Sequence, residues 1–225
     1  MLGADEAGKG PVLGPMVAGA VRADPDAIPD DVDDSKRLTP ERRQELDAVL
    51  REDDRVAVAV AHVGVDRIDA PDTDMNTLTV AGQAEALAQV ARDGDRAVVD
   101  AGDVSESRFA RRVADAVAAG AGEGANGVAV DVTAEHGADE SYPVVAAASV
   151  VAKVERDRVV AELDEAYRDR GYDGVGSGYP SDPNTRQFLS EYVAREGTLP
   201  DCARRSWSTC DDVLAANEQS ALDEF

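Results

Sequence analysis

The order of strand-type and helix-type segments constrains the fold of this chain more than any other feature. Residues 1–23, MLGADEAGKGPVLGPMVAGAVRA, are small and apolar on both sides of a glycine-rich stretch, which predicts a strand, a turn and a second strand. Further along, short β-branched runs alternate with longer segments of helical period. This order predicts an α/β domain, in which ligands bind near the ends of strands.

Local signals place the individual elements. Thr39 and Pro40 suit the N-cap and the first position of a helix. The run RAVVDAGD predicts a buried strand that ends at Asp100, and the runs RVAVAVAHVGV and GVAVDVTA predict two more strands. Further helices are expected at residues 75–92, 106–120, 141–168, 183–195 and about 211–224.

Charge is the dominant feature of the composition. The chain has 46 acidic and 23 basic residues, which gives a formal net charge of −23. Together with a regular apolar pattern, this acidity favours a folded protein adapted to molar salt, where repulsion between carboxylates is screened. No apolar run reaches the roughly 18 residues of a membrane span, and no basic segment leads into an apolar leader. We expect a cytoplasmic protein with two reduced cysteines that acts as a monomer.

The glycine-rich stretch raises the question of a nucleotide-binding loop. Gly3, Gly8 and Lys9 fit the spacing of a phosphate-binding P-loop. The next residue is Gly10, where a P-loop needs a Ser or Thr hydroxyl, and two carboxylates lie inside the stretch where phosphates would bind. A P-loop NTPase is therefore the least favoured alternative, and nucleotide binding is its test.

Four carboxylates stand at the predicted ends of elements that are distant in sequence: Asp5, Glu6, Asp100 and Asp139. If these ends converge, they form a site of hard oxygen ligands suited to Mg²⁺ or Mn²⁺. Two such ions about 4 Å apart support phosphodiester hydrolysis.

Six segments of the chain together resemble ribonuclease HII, the type 2 ribonuclease H, in its archaeal form. They occur in order over nearly the whole chain: GADEAGKGPVLGPMV, DDSKRLT, VVDAGDV, ADESYPVVAAASVVAKVERD, GSGYPSDPNT and RRSWST. The resemblance implies a ribonuclease-H-like three-layer α/β fold with a mixed central sheet and a helical C-terminal appendage. It further implies a catalytic domain over residues 1–170 and a C-terminal helical substrate-binding segment over residues 171–225.

The same resemblance implies an endoribonuclease that depends on Mg²⁺ or Mn²⁺. Its substrates would be the RNA strand of RNA/DNA hybrids and ribonucleotides embedded in duplex DNA, and its products would carry 5′-phosphate and 3′-hydroxyl ends. Asp5, Glu6, Asp100 and Asp139 match the catalytic, metal-binding acids of the family. Asp103 competes with Asp100 as the third of these acids, and its alternative role is a charge at a helix N-terminus. The implied cellular roles are primer removal and ribonucleotide excision.

Other positions match the substrate-binding residues of that family: Gly8, Lys9, Gly10, Ser35, Lys36, Asn76 and Tyr179. In the family, a glycine–basic–glycine element brings the backbone close to the ribose at the scissile junction, because only glycine leaves room. The middle residue is more often Arg than Lys. The matching tyrosine packs at the junction and senses the 2′-hydroxyl, which distinguishes RNA from DNA. The serine, lysine and asparagine match residues that hold backbone phosphates, although a capping role suits the serine equally well.

Two basic residues and one histidine each have two possible interpretations, whereas the second histidine has one. Lys153 and Arg156 either contact phosphates or form ion pairs along the long helix. His136 lies three residues before Asp139 and could assist proton transfer, but a histidine in a polar turn more often has no such role. His62, within an apolar strand, is interpreted as structural.

Arg204, Arg205 and Trp207 form the one basic and aromatic cluster of the sequence. The cluster either grips the duplex, which we favour, or fixes the C-terminal segment to the rest of the protein. A non-catalytic nucleic-acid binder with the same fold is the alternative to the nuclease. Hybrid binding without cleavage by any metal would indicate that alternative.

Overall fold

The computed structural model describes residues 1–34, 38–122 and 127–223 and contains a five-stranded mixed β-sheet. The strands are β1 Leu2–Ala7, β2 Met16–Arg22, β3 Ala57–Val63, β4 Asp95–Asp100 and β5 Val130–Glu135. Their order in the sheet is β3-β2-β1-β4-β5. The pairs β1–β2 and β2–β3 are antiparallel, whereas β1–β4 and β4–β5 are parallel.

Seven α-helices lie in the described part of the chain. They are α1 Pro40–Glu52, α2 Val65–Ile68, α3 Met75–Val90, α4 Glu106–Ala118, α5 Pro143–Asp169, α6 Pro183–Glu196 and α7 Ser208–Asp223. Short 3-10 helices cover Pro25–Ala27, Asp30–Asp34 and Ala138–Glu140. Within the described ranges, none of the helices has the length and apolar character needed to cross a membrane.

The first compact unit comprises Met1–Ala7, Met16–Val63 and Asp74–Arg156, and it holds the sheet. One face of the sheet packs against α3 and α4, with Leu87 and Phe109 in the shared core. The other face packs against α1 and the start of α5, where Leu46 and Val145 are buried. The unit therefore has three layers, with helices on both faces of the sheet, as the order of segments predicts for an α/β domain.

Small residues allow α5 to lie very close to the sheet. A Cβ atom at Gly3 would lie 2.5 Å from the backbone carbonyl of Val144, and a Cβ atom at Gly19 would lie 2.5 Å from the carbonyl oxygen of Ala148. Real Cβ atoms do not approach a backbone so closely, so these two strand positions require glycine. The close approach explains how a core with few aromatic residues is filled by Ala and Val.

The second compact unit comprises Gly8–Pro15, Gly64–Thr73 and Asp157–Phe225. Its core contains four buried aromatic side chains. Four rings pack against one another with centroids 4.8–6.0 Å apart, those of Tyr167, Tyr172, Phe188 and Tyr192. Edge-on and offset contacts of this kind add to the stability gained from burial.

The predicted strands and helices are confirmed, with shifts at some ends. Helix α1 begins at Pro40, and the Thr39 hydroxyl accepts a hydrogen bond from the Arg42 amide at 3.3 Å. Helix α5 begins at Pro143 instead of residue 141, because Ala138–Glu140 already form a 3-10 helix. Helix α2 was not predicted, since four residues are too few to display a helical period.

Candidate active site

The C-terminal ends of three neighbouring parallel strands bring the predicted acids towards one edge of the sheet. Asp5 and Glu6 lie near the end of β1, and Asp100 is the last residue of β4. The paired register of β1 and β4 runs to Ala4 and Val99, so Asp5 and Asp100 are the next residues on the two strands. The end of β5 lies beside Asp100 and leads into the 3-10 helix that carries Asp139.

Asp5 is buried among like charges. Its side chain faces the α5 side of the sheet and is 6% exposed. Burial, followed by repulsion from Glu6 and a smaller repulsion from Asp100, raises the pKa of the Asp5 carboxyl to about 8. The Ser149 hydroxyl on α5 lies close enough to oppose this rise, although its geometry falls short of a hydrogen bond. A cation near Asp5 would offset the repulsion from Glu6 and Asp100 and so favour the ionised form of the Asp5 carboxyl.

Glu6 follows Asp5 and points to the opposite face, because successive side chains of a strand alternate. There, Glu6 Oε2 accepts a hydrogen bond of 2.6 Å from Nε2 of Gln83, on α3. The same Nε2 donates to the backbone carbonyl of Asp100 at 3.0 Å. Sequence analysis missed Gln83. The only signal of Gln83 in the sequence was an amide in a helix whose core-facing residues are mostly apolar.

Asp100 and Asp103 have different partners. Asp100 Oδ1 accepts a hydrogen bond of 2.9 Å from the backbone amide of Ala138, the neighbour of Asp139. Asp103 instead receives two nitrogens of Arg108 at 2.6–3.0 Å, and this hydrogen bonding lowers the pKa of its carboxyl. These contacts leave Asp103 tied to α4, which agrees with its alternative role near the start of that helix.

The chemistry of the four acids suits a divalent cation, but their side chains are not arranged as a complete coordination site. In residues 1–34, 38–122 and 127–223, no three His, Cys, Asp or Glu side chains stand together in a geometry that would hold a metal ion by themselves. The four acids nevertheless offer only hard oxygen donors. Asp5 is also repelled by Glu6 and Asp100, and a bound cation would offset this repulsion. The residues present therefore fit Mg²⁺ or Mn²⁺.

In the second compact unit, Tyr179 lies close to the glycine–lysine–glycine element. A Cβ atom at Gly10 would lie 3.7 Å from the Tyr179 ring, which is 42% exposed. Gly8 has a φ of +86°, a conformation that L side chains rarely adopt. The second unit thus places one exposed aromatic ring beside a backbone stretch that depends on glycine.

Arg204 holds this glycine-containing loop from inside the second unit. Its guanidinium donates to the carbonyl oxygens of Gly8 at 2.6 Å, Lys9 at 2.8 Å and Gly14 at 2.9 Å, and the side chain is fully buried. The guanidinium also lies 5.0 Å from the centroid of the Trp207 ring. The interpretation of Arg204 as a duplex-gripping residue is therefore wrong: the side chain points inward and braces the loop.

Replacing Arg204 by Met should destabilise the protein strongly, because three loop carbonyls would lose a charged donor. We expect Arg204→Met to lower the free energy of unfolding by about 3 kcal/mol or more in urea titrations. Arg205→Met is the matched control, since the Arg205 side chain is exposed and its backbone amide makes the bond to Asp69. A similar loss in both variants would contradict the bracing role.

The remaining candidate residues from the sequence have different structural environments. Ser35 and Lys36 lie outside the described residues, and Asn76 is the second residue of α3. Arg156 is buried on α5, which does not suit a direct contact with phosphate. His62 Nε2 lies 2.8 Å from a carboxylate oxygen of Glu155, in keeping with a structural role.

His136 joins the loop after β4 to the start of α4. Its Nδ1 lies 2.8 Å from Glu106 Oε1, and its Nε2 lies 2.8 Å from the backbone oxygen of Asp103. The bond to Glu106, then the bond to Asp103, raises the pKa of His136 above its ordinary value. These contacts describe a histidine that organises a loop.

Comparison with known proteins identifies the family. A family model described as Ribonuclease HII matches residues 2–210. The chain belongs to the ribonuclease HII family. Its ribonuclease HII relatives include those of Haloarcula marismortui, 61% identical over 99% of both chains, and Halobacterium salinarum, 59% identical over 99% of this chain and 98% of the relative. Both come from halophilic archaea, in agreement with the acidic composition.

Solved structures of ribonucleases HII confirm the fold. The ribonuclease H2 of Pyrococcus horikoshii OT3 is 34% identical with a TM-score of 0.81, and the match covers 97% of this chain and 100% of that chain. Ribonuclease HII of Archaeoglobus fulgidus, solved in a complex with PCNA, is 36% identical with a TM-score of 0.77, covering 94% and 95%. The predicted ribonuclease-H-like α/β fold with a mixed sheet is therefore confirmed. Ribonucleases HII are metal-dependent nucleases of the ribonuclease H class, which act on RNA/DNA substrates.

Proposed function

We propose that this member of the ribonuclease HII family cleaves the RNA strand of RNA/DNA hybrids and also cuts at single ribonucleotides embedded in duplex DNA. The observation that carries the proposal is the buried Asp5 at the end of β1, whose pKa is raised by burial and by Glu6 and Asp100. A fold that keeps like charges together at the end of its central strands accepts a cost in stability. The proposed reason for keeping these acids together is that they bind a cation for catalysis.

Asp5, Glu6, Asp100 and Asp139 are the residues proposed to hold Mg²⁺ or Mn²⁺. A pair of such ions, when bound, supplies an activated water and charge stabilisation at the phosphodiester. The protein contributes the fixed positions of its carboxylates at strand ends, which need little reorganisation during the reaction. Products with 5′-phosphate and 3′-hydroxyl ends follow from cleavage of the bond between phosphorus and the 3′ oxygen.

Substrate recognition is assigned to residues that read the ribose and the backbone. Gly8, Lys9, Gly10 and Tyr179 are proposed to recognise the 2′-hydroxyl, because glycine permits close backbone approach and an exposed ring offers a stacking surface. Ser35, Lys36 and Asn76 are proposed to hold phosphates. The division into a catalytic domain at 1–170 and a substrate-binding segment at 171–225 stays a prediction.

The proposed setting is the cytoplasm, where the enzyme would act as a monomer in primer removal and ribonucleotide excision. Such a role requires selection of a single sugar oxygen in a long duplex. Selection of this kind rests on contacts to the 2′-hydroxyl, since phosphate contacts are common to both nucleic acids.

A duplex DNA with one embedded ribonucleotide tests the proposal. We expect cleavage on the 5′ side of the ribonucleotide in concentrated KCl with Mg²⁺ or Mn²⁺, and no cleavage of an all-DNA duplex of the same sequence. Gel analysis with end-labelled strands identifies the site and the terminal groups. Binding of the ribonucleotide-containing duplex without cleavage in either metal would favour the non-catalytic alternative.

A further inference from the structure

Gln83 is a fully buried amide in the core-facing side of α3. Its side-chain nitrogen donates two hydrogen bonds, which reach the ends of the parallel strands β1 and β4. Nε2 donates to the carboxylate of Glu6 at 2.6 Å and to the backbone oxygen of Asp100 at 3.0 Å. One side-chain nitrogen thus contacts two of the positions proposed to hold the cation.

The hydrogen-bond partners fix the orientation of this amide. Both neighbours are acceptors, so the amide nitrogen must face them, whereas the opposite orientation would set an oxygen against a carboxylate and a carbonyl. Among the described residues, Gln83 Oε1 has no hydrogen-bond partner. Burying an amide with an unsatisfied oxygen is costly.

An apolar residue would fit this helix position at lower cost. The buried neighbours along α3 include Val80, Ala84 and Leu87, and they belong to the core shared with α4. The stability of the core therefore does not account for an amide at position 83. The amide instead donates two hydrogen bonds at the strand ends.

These bonds act where the backbone pairing stops. The register between β1 and β4 runs from Leu2 with Ala97 to Ala4 with Val99. Gln83 bridges the next step, because it joins the side chain of Glu6 on β1 to the last backbone carbonyl of β4. It thereby limits the movement of one carboxylate relative to the neighbouring strand.

We propose that Gln83 is a positioning residue that presets the Glu6 carboxylate for a divalent cation. The inference rests on the proposed function and deepens it, since it names a group that acts through a metal-binding acid. Residues that orient metal ligands typically contribute about 10–100-fold to metal affinity. Loss of the amide donor should therefore weaken cation binding while the fold is retained.

The test is the affinity of Gln83→Met for Mn²⁺, because Met has a similar volume and no N–H donor. We expect a dissociation constant about 10–100-fold higher than in the unaltered protein, measured by calorimetry or by the spin-resonance signal of free Mn²⁺. Cleavage activity should recover as the Mn²⁺ concentration is raised. Thermal unfolding in EDTA should show that the variant folds, and Gln83→Leu serves as a second variant.

Gln89→Met is the matched control on the same helix. Gln89 donates its amide to the backbone oxygens of Val60 and Glu85, at 2.9 Å and 3.1 Å, and it bonds no carboxylate among the residues that the structure describes. The Mn²⁺ affinity of the Gln89→Met variant should equal that of the unaltered protein. Unaltered Mn²⁺ affinity in folded Gln83→Met and Gln83→Leu would overturn the inference and leave the nuclease proposal intact. Failure of the unaltered protein to bind Mn²⁺ or to cleave would instead overturn both.

Discussion

Asp5→Asn is expected to lower the rate of ribonucleotide-directed cleavage by about a thousandfold or more, which corresponds to about 4 kcal/mol of transition-state stabilisation. The substitution removes one negative charge and leaves the shape of the side chain. Asn also keeps the side-chain oxygen that accepts a hydrogen bond of 2.7 Å from the backbone amide of Glu6. The loss should therefore come from the missing charge at the cation site, and single-turnover cleavage of the embedded-ribonucleotide duplex measures it.

Asp95→Asn is the matched control, because Asp95 begins the same strand that Asp100 ends. Asp95 lies at the opposite end of β4, where it pairs with Arg22 at 3.0 Å. Its amide variant should keep nearly full activity. An Asp5→Asn enzyme that cleaves at the unaltered rate would rule out the assigned site.

A second comparison separates the two candidates for the third acid. Asp100→Asn should reduce cleavage as severely as Asp5→Asn, whereas Asp103→Asn should act mainly on stability. The Asp103 side chain is 3% exposed and is paired with Arg108, so the variant leaves a guanidinium without its partner. Greater loss of activity in Asp103→Asn than in Asp100→Asn would reverse the assignment.

The sequence predicts most of the fold because its local signals agree with the tertiary structure. Thr39 and Pro40 locate the start of α1, and the alternation of strands and helices indicates the α/β class. The start of α5 and the existence of α2 depend on turns of three or four residues, for which periodicity gives no signal.

The candidate site was predictable in its acids and not in the residues around them. Carboxylates at strand ends stand out in sequence, because such ends converge in parallel sheets. Gln83 and Arg204 act through hydrogen bonds to residues at least 17 positions away in the sequence, and their roles appear only when those partners are in place. For Arg204, the charge suggested a surface contact, although its donors satisfy buried carbonyls.

The raised pKa of Asp5 has a consequence for the stability of the metal-free protein. Its folded-state pKa of about 8 exceeds the ordinary value of 3.8. The folded state therefore holds this proton more tightly than the unfolded state does. The resulting stabilisation is fully present below about pH 4 and is lost progressively up to about pH 8, at up to about 1.4 kcal/mol per pH unit.

Asp5→Asn should remove this pH dependence and make the metal-free protein more stable than the unaltered one at neutral pH. In EDTA and constant KCl, we expect the difference in free energy of unfolding to grow on the order of 3 kcal/mol between pH 5 and pH 8. Comparing the two proteins at each pH cancels the titration of His136, whose raised pKa also makes stability fall as pH rises. Added Mg²⁺ should stabilise only the unaltered protein appreciably, because cation binding favours its ionised carboxylate. A difference that stays constant with pH would show that Asp5 is not held among repelling charges, and the physical basis of the proposed cation site would be lost.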